Sequence, residues 1–543
     1  MTAAPGFHVY DTTLRDGSQQ EGLTLSVADK LAVARLLDEL GVTYIEGGWP
    51  GAVPRDTEFF ARARDELSLR SARLAAFGAT RRAGVEVAAD PQVAALLDSG
   101  APTITLVAKS DARHVESALR TTGAENLAMV EDTVRHLRAH GREVFVDAEH
   151  FFDGFLADPS YTTSVVSRAL DAGADVVVLC DTNGGMLPHQ VEEIVADLRA
   201  RLAEVGHPEP RLGMHAHNDS GCAIANSITA VRGGIMHVQG CVNGYGERTG
   251  NADLLTIVAD LQLKIGMALV PPSALEEYTR IAHAIGDIVN MPVSPRAPYL
   301  GASAFAHKAG LHASAIRVDP DLYQHVDPVV VGNDMRMIIS DMAGRASIEL
   351  KGRELGFDIA GEGDLLARLA GTVKQREAAG YSYEAADASF ELLLLDEMGR
   401  LPRYFTVESW RASSFQLPDG TLETEATVKL HALESSDGGE VADGRRVALA
   451  EGNGPVNALD LALRSALRDR YPSIDQFELQ DFKVRILDSH HGTDATTRVL
   501  VRMAGPAGEF QTVGVGPNII EASWEAISDA YTFGLRRSGV PQP

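Results

Sequence analysis

Short apolar segments alternate with amphipathic segments through the first half of the chain. In the clearest amphipathic segment, Leu31 and Leu37 recur at helical spacing, Ser26 precedes them as a capping residue, and Gly41 ends the pattern. Mostly apolar segments of strand length lie at 7–11, 43–48, 73–79, 103–108, 143–149, 175–182, 211–217 and 236–243. We therefore predict eight strands, each followed by a helix.

Eight successive strand–helix units predict a parallel (β/α)8 barrel, the TIM-barrel fold, over residues 1–275. A doubly wound open sheet is the alternative. The number of strands and a span close to the typical ~250 residues favour the barrel. In such a barrel, functional groups lie where the strands end and the following loops begin.

The pattern changes after residue 275. Residues 276–389 have the pattern of short helices around a segment rich in proline, glycine and alanine, and they predict mainly helical connecting and lid subdomains. Residues 390–543 predict a separate α+β domain, in which "FELLLLDE" (390–397) and the segments that follow it have the composition of strands.

This C-terminal domain contains an internal repeat. Two groups of strand-like segments each end in a G-x-G-P turn and a helix, at 452–455 and 514–517. Backbone N–H groups at such a turn favour an anion, such as the carboxylate of an amino acid. Candidate regulatory positions are the four turn glycines: Gly452, Gly454, Gly514 and Gly516. The alternatives are a chance similarity of two helix starts and a dimerisation domain without a ligand.

Composition narrows the classes of function. The 49 basic residues against 75 acidic residues give a formal net charge of −26, which argues against a nucleic-acid partner. The three cysteines lie far apart, without the spacing of a disulfide framework or a zinc site. No apolar run approaches the ~18 residues of a membrane-spanning helix, and the N-terminus lacks a signal-peptide pattern. We expect a cytoplasmic protein with no membrane or nucleic-acid partner.

Polar groups follow most of the predicted strands. The number of strand ends that carry such groups exceeds what a purely structural barrel needs. In chain order they are Asp11, Arg15, Asp16, Glu46, Lys109, Asp147, Glu149, Asp181, Thr182, His215, His217, Asn243, Glu247, Arg248 and Asn251.

The histidine pair of "HAH" is the most informative of these groups. His215 and His217 are two apart on a strand, so both point to the same side. Two imidazoles and one carboxylate can hold a divalent metal ion and leave positions open for a substrate. Asp16 is the predicted carboxylate, because the first and seventh strands lie close together around the rim. The alternative is that both histidines simply face solvent.

Several motifs together resemble one enzyme family. They are "DTTLRDGSQ" (11–19), "HAHND" (215–219), "GYGERTGN" (244–251) and "FAHKAGLHASAI" (305–316). They resemble the acyl-CoA–α-keto acid condensing enzymes, the family of the 2-isopropylmalate, homocitrate and citramalate synthases. The segments 147–154, 492–501 and 512–527 look most like those of the citramalate synthases, a class with a C-terminal regulatory domain.

The resemblance implies a metal-dependent condensation of acetyl-CoA with an α-keto acid, which is pyruvate for the citramalate class, followed by thioester hydrolysis. Asp16, His215 and His217 would hold Mg²⁺, Mn²⁺ or Zn²⁺, with Asn251 as an added ligand or a neighbour of the ligands. The implied substrate-facing residues are Arg15 at the keto oxygen, Thr182 at the carboxylate and Glu149 at the condensing groups. Asp147 is a further candidate for substrate binding, because it is two residues from Glu149 on the predicted strand and should face inward with it.

The resemblance also implies a base outside the barrel. His312 is the candidate, with Tyr323 as its partner and His307 as a rival, and a second subunit would complete the site in a homodimer. Isoleucine would be the feedback effector. The alternatives are a different α-keto acid, as in 2-isopropylmalate or homocitrate synthase, a TIM-barrel acyl-CoA lyase, and an amino acid sensor without enzymatic activity.

Overall fold

The structure, a computed structural model, describes residues 2–3, 6–432, 444–487 and 495–541. Residues 492–494 of the family-like segment 492–501 lie outside these ranges. The chain forms two compact units, residues 1–305 with 326–334, and residues 306–325 with 335–543. Among the described residues, no helix is both long and apolar enough to cross a membrane. The three-part division at residues 275 and 389 stays a prediction.

Eight parallel strands close into a barrel in the first unit, so the predicted barrel is confirmed and the open sheet is wrong. The strands are β1 (His8–Asp11), β2 (Tyr44–Glu46), β3 (Arg73–Ala79), β4 (Thr103–Lys109), β5 (Glu143–Glu149), β6 (Val176–Asp181), β7 (Leu212–Ala216) and β8 (His237–Gly240). Strand β8 closes the barrel by pairing with β1, with His237 opposite His8.

Helices surround the barrel and bury its outer face. They are α1 (Val27–Leu40), α2 (Pro54–Glu66), α3 (Pro91–Asp98), α4 (Gly123–Ala139), α5 (Pro159–Asp171), α6 (Pro188–Glu204), α7 (Ala223–Arg232) and α8 (Leu254–Leu263), with short helices at Ala112–Ser117 and Phe151–Ala157. Ser26 caps α1 by accepting a 3.1 Å hydrogen bond from the backbone N–H of Asp29, and Gly41 ends it at φ 88°. The predicted caps are therefore confirmed.

Aromatic side chains fill the barrel interior below the carboxyl ends of the strands. Tyr10, Tyr44 and Phe145 are buried there, with the rings of Tyr44 and Phe145 5.1 Å apart and edge to face. This packing closes the interior and leaves the carboxyl ends as the open end. The first unit is completed by the short helix Pro272–Leu275 and by α9 (Tyr278–Ile288), which packs against α1.

The second unit begins with helices, and one predicted strand is wrong. The helices are α10 (Gly310–Ile316), α11 (Arg345–Glu354), α12 (Gly363–Ala378) and α13 (Asp387–Glu397). Residues 390–397, predicted as a strand, belong to α13. Every residue of this helix from Ala388 to Leu395 is buried, so its apolar residues show no helical periodicity.

The rest of the second unit consists of two β–β–β–α repeats, so the internal repeat is confirmed. The first is β9 (Phe405–Gln416), β10 (Leu422–Ala432), β11 (Arg445–Gly452) and α14 (Pro455–Leu467). The second is β12 (Glu478–Ile486), β13 (Thr497–Gly505), β14 (Gly508–Gly516) and α15 (Ile519–Arg537). Each set of strands forms an antiparallel sheet in chain order, and the two helices share one core with both sheets.

The two glycines of each G-x-G-P turn have different surroundings. A Cβ at Gly514 would lie 2.0 Å from the carbonyl oxygen of Ala522, and a Cβ at Gly452 would lie 2.6 Å from a backbone nitrogen. A Cβ at Gly454 would meet nothing within 4 Å, and one at Gly516 nothing nearer than 3.5 Å. The first glycine therefore lets the helix pack closely against its strand. The second has open space beside it at Gly454 and ordinary van der Waals contacts at Gly516. The role of these four glycines in ligand binding stays a prediction.

We expect Gly514→Ala to lower the free energy of unfolding of the C-terminal domain by about 1–3 kcal/mol, because the added methyl group must push α15 away from β14. The matched control is Gly516→Ala, for which we expect a change within about 0.5 kcal/mol. Urea denaturation of the full chain measures both. Equal losses in the two variants would contradict this account of the turn.

Candidate active site

The carboxyl ends of β1 and β7 bring three side chains to one point. Oδ2 of Asp16 lies 3.3 Å from Nε2 of His215 and 3.9 Å from Nε2 of His217. The two Nε2 atoms are 3.3 Å apart, and all three residues are buried. One potential ligand atom from each residue lies within 4.8 Å of the others.

Asn251, in the loop after β8, lies beside these three residues. Its Nδ2 donates a 3.1 Å hydrogen bond to Oδ2 of Asp16, and its backbone forms a β-bridge with His217. Its Oδ1 is buried without a hydrogen-bond partner. Because buried carbonyl oxygens nearly always have a partner, this atom is available to a bound group or to water.

The electrostatics of the three residues favour a positive charge between them. Burial alone would raise the pKa of Asp16, but Arg15 and the hydrogen bond from His215 outweigh it and hold that pKa well below its usual value. Burial opposes the charged form of His215 as well, yet Asp16 raises the pKa of this imidazole. Burial and the charge of His215 lower the pKa of His217 to about 3. The second imidazole is therefore neutral, with a lone pair to donate.

This set of donors fits a divalent metal ion. Two imidazole nitrogens and one ionised carboxylate oxygen converge, and the unpartnered oxygen of Asn251 is next to them. Imidazole and carboxylate are common ligands of zinc and other divalent metals, and three protein ligands leave room for a substrate.

Arg15 is held rigidly at the edge of the three ligand residues. Its Nε donates a 2.5 Å hydrogen bond to Glu46, and its guanidinium carbon lies 3.9 Å from the centre of the Phe77 ring. Tyr10 in turn donates a 2.7 Å hydrogen bond to the other oxygen of Glu46. Burial would lower the pKa of Arg15, but Asp16 and Glu46 outweigh it and raise this pKa, so the side chain remains a fixed cation.

Two carboxylates at the end of β5 face the same interior. Burial and the negative charge of Glu46 raise the pKa of Asp147 to about 7, and its Oδ1 accepts a 3.0 Å hydrogen bond from Gln239. Glu149 forms an ion pair with Lys109 at the end of β4. Asp147 is thus hydrogen-bonded within the barrel interior, whereas Glu149 is ion-paired at the rim.

Thr182 follows β6 with its hydroxyl group oriented by the backbone. Its Oγ1 accepts a 2.8 Å hydrogen bond from the N–H of His150, a residue at φ 58°. Because this bond uses a lone pair of Oγ1, the hydroxyl proton remains free to donate to a ligand. Arg248 donates to the carbonyl of Thr182 at 2.9 Å and binds both carboxylate oxygens of Asp219.

A cavity of about 630 Å³ opens over these groups. The residues named above that line it are Arg15, Asp16, Phe77, Lys109, Asp147, Glu149, Thr182, His215, His217 and Arg248. The cavity extends past Trp49 to Thr80, Arg81 and Arg82. Arg81 is held by ion pairs with Glu125 and Asp132, whereas Arg82 is exposed.

Several residues that the structure places here carry no role predicted from the sequence. Glu46 is predicted only as a polar group at a strand end, and the sequence patterns predict no role for Trp49, Phe77 or Gln239. A signal for Gln239 exists in "HVQG" (237–240), because Gln239 is two residues after the buried His237 and therefore shares its inward face.

His312, Tyr323 and His307 belong to the second unit. The rings of His312, in α10, and Tyr323 stack 4.1 Å apart. His307 makes an edge-on contact with His312 at 6.1 Å, and burial lowers its pKa. The stacked pair is thus one local cluster. Its action on a substrate in a barrel stays a prediction.

Comparison with known proteins identifies the family. Three family models match successive parts of the chain: HMGL-like at residues 7–284, Homocitrate synthase post-HMGL domain-like at 299–377, and LeuA allosteric (dimerisation) domain at 384–535. An (R)-citramalate synthase from Streptomyces coelicolor is 62% identical over 98% of this chain and 97% of that protein. The chain belongs to the (R)-citramalate synthase family.

Relatives with lower sequence identity also match this member of the (R)-citramalate synthase family over nearly the whole chain. The enzyme of that name from Aquifex aeolicus is 44% identical over 98% of each chain. A 2-isopropylmalate synthase from Prochlorococcus marinus is 28% identical over 98% of this chain and 96% of that protein. These matches run from end to end, so they include the residues of both structural units.

For this member of the (R)-citramalate synthase family, we expect His217→Ala to weaken binding of Zn²⁺ or Mn²⁺ by more than about 100-fold, because loss of a ligand exceeds the 10–100-fold cost of losing an outer partner. The exposed His189 supplies the matched control, His189→Ala, which should bind as the wild type does. Competition with a chelating dye measures the affinity. Unchanged affinity in His217→Ala would contradict the assignment.

Proposed function

We propose that the chain condenses acetyl-CoA with pyruvate and water to give (R)-citramalate and CoA. The convergence of Asp16, His215 and His217 beside the fixed cation of Arg15 is the observation that carries the proposal. The full-length similarity to (R)-citramalate synthases supports the same reaction. In it, the methyl group of acetyl-CoA loses a proton and attacks the ketone of pyruvate, after which water hydrolyses the thioester.

Asp16, His215 and His217 would hold a divalent metal ion, Mg²⁺, Mn²⁺ or Zn²⁺, with Oδ1 of Asn251 as an added ligand or a contact to bound water. When bound, the ion would act as a Lewis acid on the α-keto acid. The low pKa of Asp16 and the neutral imidazole of His217 suit both residues to this role.

Arg15 and Thr182 would bind the α-keto acid from two sides. Arg15 offers a preorganised positive charge to the keto oxygen, where negative charge develops, and one such donor is worth on the order of 3 kcal/mol. Glu46 and Phe77 hold the guanidinium in place before the substrate arrives. The free hydroxyl proton of Thr182 would donate to the substrate carboxylate, and Asp147 also lines the cavity.

Acetyl-CoA would occupy the part of the cavity that extends toward Lys109 and Arg82. The exposed guanidinium of Arg82 suits the phosphates of CoA. Glu149, held by Lys109, would orient the thioester end. The proton acceptor remains a prediction from the family resemblance: His312 with Tyr323 as its partner, reaching the barrel of a second subunit in a homodimer.

The C-terminal repeats would form a regulatory and dimerisation domain, as their match to the LeuA allosteric (dimerisation) domain supports. The open space at Gly454 suits a small ligand, and the end product of the proposed route, isoleucine, is the effector we propose. We also propose a cytoplasmic location, in keeping with a biosynthetic role and a chain without disulfide bonds in the described residues.

We expect kcat/KM for the release of CoA from acetyl-CoA to be at least about tenfold higher with pyruvate than with 2-oxoisovalerate. This ratio corresponds to a difference of roughly 1.4 kcal/mol in transition-state stabilisation. A chelator should abolish the activity, and added Mn²⁺ or Mg²⁺ should restore it. A thiol-reactive dye measures the CoA released. Preference for 2-oxoisovalerate would contradict the proposed substrate and indicate a 2-isopropylmalate synthase activity.

Isoleucine should lower the rate of the wild-type chain. Gly454→Val, which fills the open space at this turn, should raise the half-inhibitory concentration at least about tenfold, which corresponds to ~1.4 kcal/mol of binding free energy. Each variant is compared with its own uninhibited rate, and valine in place of isoleucine is the control ligand. A wild-type rate that does not respond to isoleucine would refute the effector, and an unchanged response in Gly454→Val would refute the site.

A further inference from the structure

Gln239 links one of the candidate metal ligands to a carboxylate across the barrel interior. Its Oε1 lies 2.9 Å from Nδ1 of His215, and its Nε2 donates a 3.0 Å hydrogen bond to Oδ1 of Asp147. Gln239 is fully buried, and Asp147 and His215 are 4% and 5% exposed. The register of the barrel explains the first contact, since His215 of β7 and Gln239 of β8 are paired residues.

The carboxylate of Asp147 fixes which way the Gln239 amide faces. Nε2 of Gln239 donates to Oδ1 of Asp147, and the amide therefore presents its carbonyl oxygen to His215. The carbonyl oxygen in turn accepts only from a protonated Nδ1. The proton of a neutral His215 is therefore placed on Nδ1, and Nε2 is left with its lone pair.

Nε2 is the atom of His215 that faces Asp16 and His217. A histidine binds a metal ion through the nitrogen that carries no proton, and the hydrogen bond at the other nitrogen selects which one that is. Without a partner at Nδ1, the ring would be free to place its proton on Nε2, where Asp16 accepts it. The arrangement thus selects the tautomer that can bind metal.

We propose that Gln239 is a positioning residue: oriented by Asp147, it holds His215 in the tautomer that binds the divalent ion. This inference rests on the metal site of the proposed function. Gln239 is not among the residues that line the cavity, so it would touch neither the ion nor the substrate. Its role lies in the ring orientation and proton position of His215, so it acts on metal affinity before it acts on turnover.

Two substitutions at this position separate the hydrogen bond from the volume of the side chain. Gln239→Met keeps the length and bulk of the side chain but removes the acceptor, and we expect 10–100-fold weaker binding of Zn²⁺. Gln239→Glu keeps an acceptor facing Nδ1, and we expect affinity within about threefold of the wild type, or tighter. Chelator competition measures affinity in the absence of substrates, and far-UV circular dichroism verifies the fold of each variant.

The outcomes distinguish this inference from the metal site itself. Wild-type affinity in Gln239→Met, or equal losses in both variants, would overturn the role of Gln239. A wild-type chain that binds no Zn²⁺, or a His217→Ala variant that binds it normally, would instead overturn the metal site.

A measurement on the wild type covers the case in which Gln239→Met does not fold. In metal-free protein labelled with ¹⁵N-histidine, at a pH where His215 is neutral, the resonances lost in His215→Ala should show a proton on Nδ1 and none on Nε2. A proton on Nε2 would overturn the inference.

Discussion

The structure depends on one electrostatic constraint, the approach of the Asp16 carboxylate to the imidazoles of His215 and His217 in a buried space. An ionised carboxylate is costly to bury unless positive charge accompanies it. Arg15 supplies part of that charge, and the raised pKa of His215 shows that the space attracts more. The closed barrel makes the arrangement possible, because it places the ends of β1 and β7 at the same rim although they are about 200 residues apart in the chain.

Polar residues above the aromatic packing of the barrel interior hold these functional groups in place through hydrogen bonds. Glu46 connects Tyr10 to Arg15, Gln239 connects Asp147 to His215, and the N–H of His150 orients the hydroxyl of Thr182. Each of these hydrogen bonds uses one donor or acceptor position of a functional group and leaves another position of that group directed into the cavity. Preorganisation of this kind stabilises developing charge without reorganisation during the reaction.

Much of the fold and the convergence of the three ligand residues could be predicted from the sequence, because strand alternation and the HxH spacing are local signals. The strand predicted at 390–397 is wrong for a physical reason: every residue of α13 from Ala388 to Leu395 is buried, so the sequence shows no exposed polar face at helical spacing. The roles of Glu46 and Gln239 could not be predicted, because their hydrogen-bond partners lie on strands far away in the chain. These contacts depend on closure of the barrel and not on neighbours in sequence. His312 and Tyr323 rest on family resemblance alone.

X-ray absorption spectroscopy of the Zn²⁺-loaded wild-type chain tests the central claim most directly. The account predicts multiple-scattering features from two imidazole rings together with oxygen ligands, and one imidazole fewer in His217→Ala. A spectrum of bound Zn²⁺ without imidazole scattering, or with the same two rings after removal of His217, would contradict it.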